Sequence, residues 1–176
     1  MPFLREWAGK TLQWKRPHFF SATYELRVGD QPLAILNRTG IMKQRAIAEA
    51  EGQAWRFQRE GLMGRKCVVY PGESNEPVQA LASIQSAWNG TGTLNFYDGR
   101  VYHWTRTGHW RPVWSWRGPG NITILSIKQG RLLEIAPAAR DLPELALLSL
   151  LGLYLILMME ADEAASAASV AGIVSG

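Results

Sequence analysis

The 176-residue chain predicts a mainly β fold: a closed antiparallel barrel of about twelve strands around one buried hydrophobic C-terminal helix. Three observations carry this. From Thr11 to Ala136 short β-rich runs follow one another, each near the usual strand length of about 5–6 residues. Gly-containing turn signals separate them. The β pattern then stops, and Leu145 to Met159, LALLSLLGLYLILMM, is apolar around the whole circumference of a helix, which a surface helix is not. Sheets of so many strands tend to close or split, closure removes exposed edges, and a barrel of about eleven strands has room for an axial helix.

The strands are read in order. TLQWK (Thr11 to Lys15) is ended by Pro17, and FFSATYELRV (Phe19 to Val28) reads as a longer strand. Gly29-Asp30 turns it into PLAILN (Pro32 to Asn37), and Asn37 to Gly40 turns the chain again. Arg45 to Glu49 alternates polar and apolar residues, although IMKQRAIAEA also reads as a short helix over Met42 to Ala50. AWRFQRE (Ala54 to Glu60) alternates as a strand with one wet face does. KCVVY (Lys66 to Tyr70), VQALASIQS (Val78 to Ser86) and TLNFY (Thr93 to Tyr97) follow. Asp98-Gly99 is the strongest hairpin signal and predicts a two-residue type I′ turn into VYHWT (Val101 to Thr105). RPVWSW (Arg111 to Trp116), NITILSI (Asn121 to Ile127) and RLLEIA (Arg131 to Ala136) complete the wall.

The helix is expected from about Leu142, with Asp141 as its cap, Pro143 in the first turn and Glu144 at the capping-box position. At 1.5 Å per residue the apolar run spans roughly 22 Å. A bilayer core is roughly 30 Å thick, so the run is short for a membrane span and a protein interior is the reading adopted. Ala146, Ser149 and Gly152 form a stripe of small side chains that allows close approach to a sheet wall. Residues 1–160 form the barrel domain, with its central helix over about 142–159; residues 161–176 are a small-residue tail, a helix extension or disordered, with disorder expected beyond about Ala168.

Composition fits one globular domain: 47% hydrophobic and 19% charged residues argue against wholesale disorder. The net charge is +4, and fourteen of nineteen basic residues are arginine, the cation that forks onto phosphates and stacks on aromatic faces. Cys67 is the single cysteine, which excludes an intrachain disulfide and a four-thiolate metal site. The N-terminal MPFLREWAGK has no apolar core of signal-peptide length, so secretion by that route is not expected.

In this order of strands and helix the chain resembles the tubby C-terminal-like superfamily, which includes the tubby domain, the LURP-one-related proteins and the phospholipid scramblases. The resemblance covers roughly Trp14 to Met159 and rests on architecture and on TYELRVGDQPLAIL, NFYDGRVYHW and ELALLSLLGLYLILMM. It implies a non-catalytic binding or scaffold module for anionic phospholipid headgroups or a membrane surface, cytoplasmic and peripheral. Unlike the scramblases, the chain has no acidic calcium-loop pattern before the helix and no cysteine cluster for acylation.

Residues suited to chemistry are sparse. His18, His103 and His109 form no metal-ligand spacing, no GxSxG, Walker or dinucleotide fingerprint is present, and Cys67 sits in KCVVY, where a small apolar residue packs well. No enzyme activity, metal or cofactor is expected, and nucleic acid is not an expected partner. The segment His103 to Arg117, HWTRTGHWRPVWSWR, is the exception. As a strand it places Trp110, Pro112, Trp114 and Trp116 on one face and Arg111, Val113, Ser115 and Arg117 on the other. Either the tryptophans pack on the central helix and the arginines are solvated, or Arg106, Arg111, Arg117 and Trp110 receive an anionic lipid headgroup. Arg56, Arg59, Arg65 and Lys66 read as a wet face. Two alternative functions follow: an apolar-ligand barrel, or a tail-anchored membrane protein whose β domain is held in the cytoplasm by Arg140 and the Glu160, Asp162, Glu163 trio.

Overall fold

The computed structural model describes residues 3–39, 44–61, 63–73 and 78–174. Its twelve strands are β1 (Thr11–Lys15), β2 (Thr23–Val28), β3 (Gln31–Thr39), β4 (Arg45–Ala50), β5 (Gln53–Glu60), β6 (Lys66–Pro71), β7 (Ala82–Ser86), β8 (Gly92–Phe96), β9 (Val101–Thr107), β10 (Val113–Arg117), β11 (Thr123–Lys128) and β12 (Leu132–Ile135). Each pairs with its sequence neighbours, and β1 pairs antiparallel with β12 to close the barrel. Among the described residues the one α-helix, α1 (Leu145–Val174), lies inside along Leu145 to Met158, so the expected closed barrel around a buried C-terminal helix is what the chain forms.

Alternation along the strands builds the wall. In β1 Leu12 and Trp14 point inward between exposed neighbours, and in β9 Tyr102 and Trp104 do so. The helix meets them from the axis: Leu145 to Met158 are buried except for half-buried Leu155. Gly152 is the closest approach. A Cβ there would lie 3.0–3.1 Å from Trp116 Nε1, Ile127 Cδ1 and Trp104 Cη2, so the small-residue stripe does seat the helix against the wall. Trp116 Nε1 donates to Leu148 O at 2.8 Å, and Ser149 Oγ, wholly buried, donates back to Leu145 O at 2.8 Å. Those bonds satisfy polar groups that burial would otherwise penalise by about 1–3 kcal/mol each.

Several local expectations are corrected. The β4 segment is strand, not helix, through Arg45–Ala50; positions 42 and 43 lie outside the described residues. Phe19 and Phe20 belong to the β1–β2 loop, where Ser21 N bonds to His18 O, and not to β2. The strand expected over Val78 to Ser86 begins only at Ala82, and the one expected from Asn121 begins at Thr123, because Asn121 has positive φ. Strand β10 begins at Val113 instead of Arg111. Pro112 has no N–H for the ladder, and Gly108, at φ +79°, packs so closely that a Cβ would meet Arg111 O at 2.7 Å.

The hairpin chemistry also moves. At Asp98-Gly99 only the glycine has positive φ, while Gly99 N bonds to Phe96 O at 3.0 Å and Phe96 N to Arg100 O at 2.9 Å. This is a three-residue loop with a glycine bulge, not a type I′ turn. The Asp98 carboxylate favours it by accepting from Arg100 N and the Arg100 guanidinium. A two-residue connection with positive φ at both centres is Glu51-Gly52, between paired Ala50 and Gln53.

The helix begins at Leu145, three residues later than expected. Glu144 does not serve a capping box: it turns inward, accepts from Tyr102 Oη at 3.0 Å and pairs with Arg100. At the other end α1 continues through the alanines to Val174, the helix-extension form of the tail; positions 175 and 176 lie outside the described residues. From Glu160 to Gly172 every residue is exposed.

Candidate functional site: the mouth of the barrel

Because successive strands are antiparallel, alternate connections gather at opposite ends. The helix enters at the end made by β2–β3, β4–β5, β6–β7, β8–β9 and β10–β11, here termed the foot. It leaves through the mouth, formed by β1–β2, β3–β4, β5–β6, β7–β8, β9–β10 and β11–β12. Tyr154 Oη donates to Gln44 O at 2.5 Å there, Arg131 pairs with Glu160 at 2.9 Å, and Arg59 grips Asp162 through two bonds of 2.9 and 2.8 Å. Pairing with Asp162 keeps Arg59 above its already high ordinary pKa, so it stays cationic.

The two ends differ in charge. Counting each loop with two strand residues on either side, the N-terminal turn with the foot and the helix through Glu163 with the mouth, the described mouth residues comprise eleven Lys or Arg and four Asp or Glu. The foot, counted the same way, has six and nine. They differ in apolar exposure as well. The mouth loops hold up Phe19 (80% exposed), Phe20 (92%), Met63 (64%), Trp88 (81%) and Trp110 (92%). The foot exposes Phe3, Val78, Tyr97, Val101 and Ile122 among its acids, none of them by more than 62%. Phe19 and Phe20 meet edge to face, with ring centroids 5.1 Å apart, and present a paired apolar tip beside Arg16.

Beneath these tips lies a half-open cavity of about 730 Å³ between the emerging helix and the β5–β6 and β7–β8 loops. Arg59, Arg65 and Arg106 line its barrel side, Asp162, Glu163 and Ser166 its helix side, and Met158 and Met159 its floor. Arg65 stacks on Trp88, 3.0 Å from the ring centroid, and Arg106 on Trp114 at 5.2 Å. Gly90 is needed at this wall: it has φ +80°, and a Cβ would come within 2.8 Å of Trp114 Cη2 and 3.0 Å of Met159 Sδ. Cys67 lines the cavity from within the wall; burial pushes its thiol from 9.0 up to about 12, which keeps it protonated. Tyr154 is likewise raised above its ordinary value by burial.

The sequence-selected residues divide. Arg106, Trp110 and Arg111 do lie at the mouth, but Trp110 and Arg111 are in the β9–β10 loop and share no strand face with buried Trp114 and Trp116. Arg117 stands near the foot, where it donates to Asn121 Oδ1 at 3.1 Å; it opposes His103, whose side chain points away from the barrel axis. The four therefore do not form one site. Phe19, Phe20, Met63, Trp88 and Arg65 were missed as site residues, yet parity marks them: in an up-and-down barrel every second turn falls at the same end. Of the supposed wet face, Arg56 is buried and stacks on Tyr70 at 4.7 Å, whereas Arg59 and Arg65 line the cavity. Among the described residues no three His, Cys, Asp or Glu side chains are grouped to hold a metal ion. Comparison with family models, curated proteins and solved structures finds no match for this chain.

Proposed function

We propose that the chain is a non-catalytic binding module of tubby-like kind that attaches peripherally, at the cytoplasmic face, to membranes carrying anionic phospholipids. The observation behind this reading is the convergence of the most exposed bulky apolar tips with excess positive charge at the mouth, where the foot carries less exposed apolar residues and excess negative charge. An anionic bilayer attracts basic residues near its surface by about 1 kcal/mol each, and aromatic tips bury their apolar bodies at headgroup depth. The helix beyond Glu163 carries no charged side chain through Val174, so a bilayer meeting the mouth encounters none on it.

The alternatives have less support. A tail anchor requires the apolar helix in lipid, but in this chain its most apolar part, Leu145 to Met158, makes the barrel core. A carrier for apolar ligands requires the axis that the same helix occupies.

Sedimentation of the purified full chain with vesicles tests the reading. Binding to vesicles containing anionic lipid, loss of that binding as salt rises from about 0.1 to 1 M, and weaker binding by the Trp88→Ala, Trp110→Ala double variant are the expected results. Equal affinity for neutral and anionic vesicles, or none for either, overturns it.

A further inference from the structure

We propose that the mouth cavity binds a phosphorylated primary amine, with its phosphate on Arg65 and Arg106 and its ammonium on Glu163. The inference deepens the mouth reading, on which the lipid-borne form of such a ligand rests. Of the charged groups around the cavity, Arg59 and Asp162 neutralise one another. Arg65, Arg106 and Glu163 have no ion-pair partner among the described residues, and together they leave one net positive charge. A phosphate monoester approaches a charge of about −2 at neutral pH, and an attached ammonium brings the whole to about −1. Both signs of the ligand therefore meet their complement, and the sums cancel.

Geometry points the same way. Stacking on Trp88 and Trp114 restrains the two guanidinium planes, which fits them for forked recognition of phosphate oxygens. Arg65 Nη2 is shielded from solvent and has no hydrogen-bond partner, a donor that an incoming oxygen would satisfy. Glu163 and Ser166 face these cations from the helix side, and the Met158–Met159 floor gives an apolar bed for the carbon linker. A volume of about 730 Å³ is within the range of small-molecule sites, about 300–1,000 Å³. A plain anion would use only one wall.

Isothermal titration of the full chain with O-phosphoethanolamine, methyl phosphate and ethanolamine tests this. Expected are saturable binding of O-phosphoethanolamine about tenfold tighter than methyl phosphate, equal to about 1.4 kcal/mol, and no saturation by ethanolamine alone. Glu163→Gln, a change at an exposed position, should erase the preference, with methyl phosphate bound at least as tightly as by the native chain; Arg106→Gln should weaken both phosphates about tenfold. No saturable binding, or a preference that survives Glu163→Gln, overturns the proposal. Vesicles with and without phosphatidylserine, whose headgroup joins a phosphate to a primary ammonium at a net charge of about −1, identify the source of the group. Soluble-probe binding without vesicle binding supports the cavity and refutes the membrane reading; vesicle binding without soluble-probe binding does the reverse.

Discussion

The foot and the mouth are built from the same hairpins around the same helix, yet they spend their charged groups differently. At the foot one buried cluster is satisfied internally: Glu144, 7% exposed, is held by Tyr102 and Arg100, and Arg100 also grips Asp98 at 2.5 Å. These bonds fix the point at which the chain turns from wall to axis. At the mouth two carboxylates of the helix meet arginines of the wall, but Arg65 and Arg106 are stacked on indoles with no anion among the described residues, beneath exposed aromatic tips. Charges satisfied within the fold contribute to stability; charges aligned and unsatisfied are available to a ligand. The difference places a closed charge cluster at one end and, on the proposed reading, recognition at the other.

That contrast can be broken most drastically at what both ends share. Leu150, wholly buried on the helix, when changed to Asp should lose about 4 kcal/mol or more, because an unpaired carboxylate would replace core packing. Chemical denaturation followed by circular dichroism checks it, and native-like cooperative unfolding would refute the axial placement. At the foot, Glu144→Ala should cost about 1–3 kcal/mol by leaving the buried Tyr102 Oη without its acceptor, while half-exposed Arg100 keeps Asp98; the same denaturation midpoint reads it.

A pH experiment sharpens the comparison from the mouth side. Cys67 titrates at about 12 when folded against an ordinary 9.0, so the unfolded chain releases this proton first as pH rises. Its contribution to stability is complete below pH 9 and is lost progressively from about 9 to about 12. Relative to Cys67→Ala, the native chain should therefore fall in stability by about 1 kcal/mol between pH 8 and 10, seen as converging or crossing melting curves. The smallest expected effect on stability is at the tips. Trp110→Ala, at a position 92% exposed, should alter stability by less than about 0.5 kcal/mol. A fall in anionic-vesicle binding without a shift in melting temperature would separate mouth from foot; a large melting shift would show that Trp110 is part of the fold.

Much of the architecture was legible because it rests on local periodicities. Period-two runs such as TLQWK and VYHWT became β1 and β9 nearly unchanged, and the all-round apolar helix had to be enclosed. Gly152 was legible too, since a small residue in a leucine-rich helix marks close approach. The failures lie where local pattern competes with tertiary contact. FFSATYELRV scans as a continuous strand, but Phe19 and Phe20 precede the first ladder residue and stand in solvent. Trp110 alternates with Trp114 and Trp116, but Pro112 and the Gly108 turn put it on a loop tip. Glu144 has capping-box spacing, yet a buried phenol and a guanidinium on β8–β9 residues compete for it.

Sequence by itself determined the class of fold, the strand-rich wall and the need for something to surround Leu145 to Met159, because hydrophobic period and turn chemistry act over a few residues. Only the tertiary structure decided which loops share an end and which guanidinium groups find carboxylates. Those are properties of closure, and they bring together residues as distant as Arg59 and Asp162 whose encounter no short window of sequence contains.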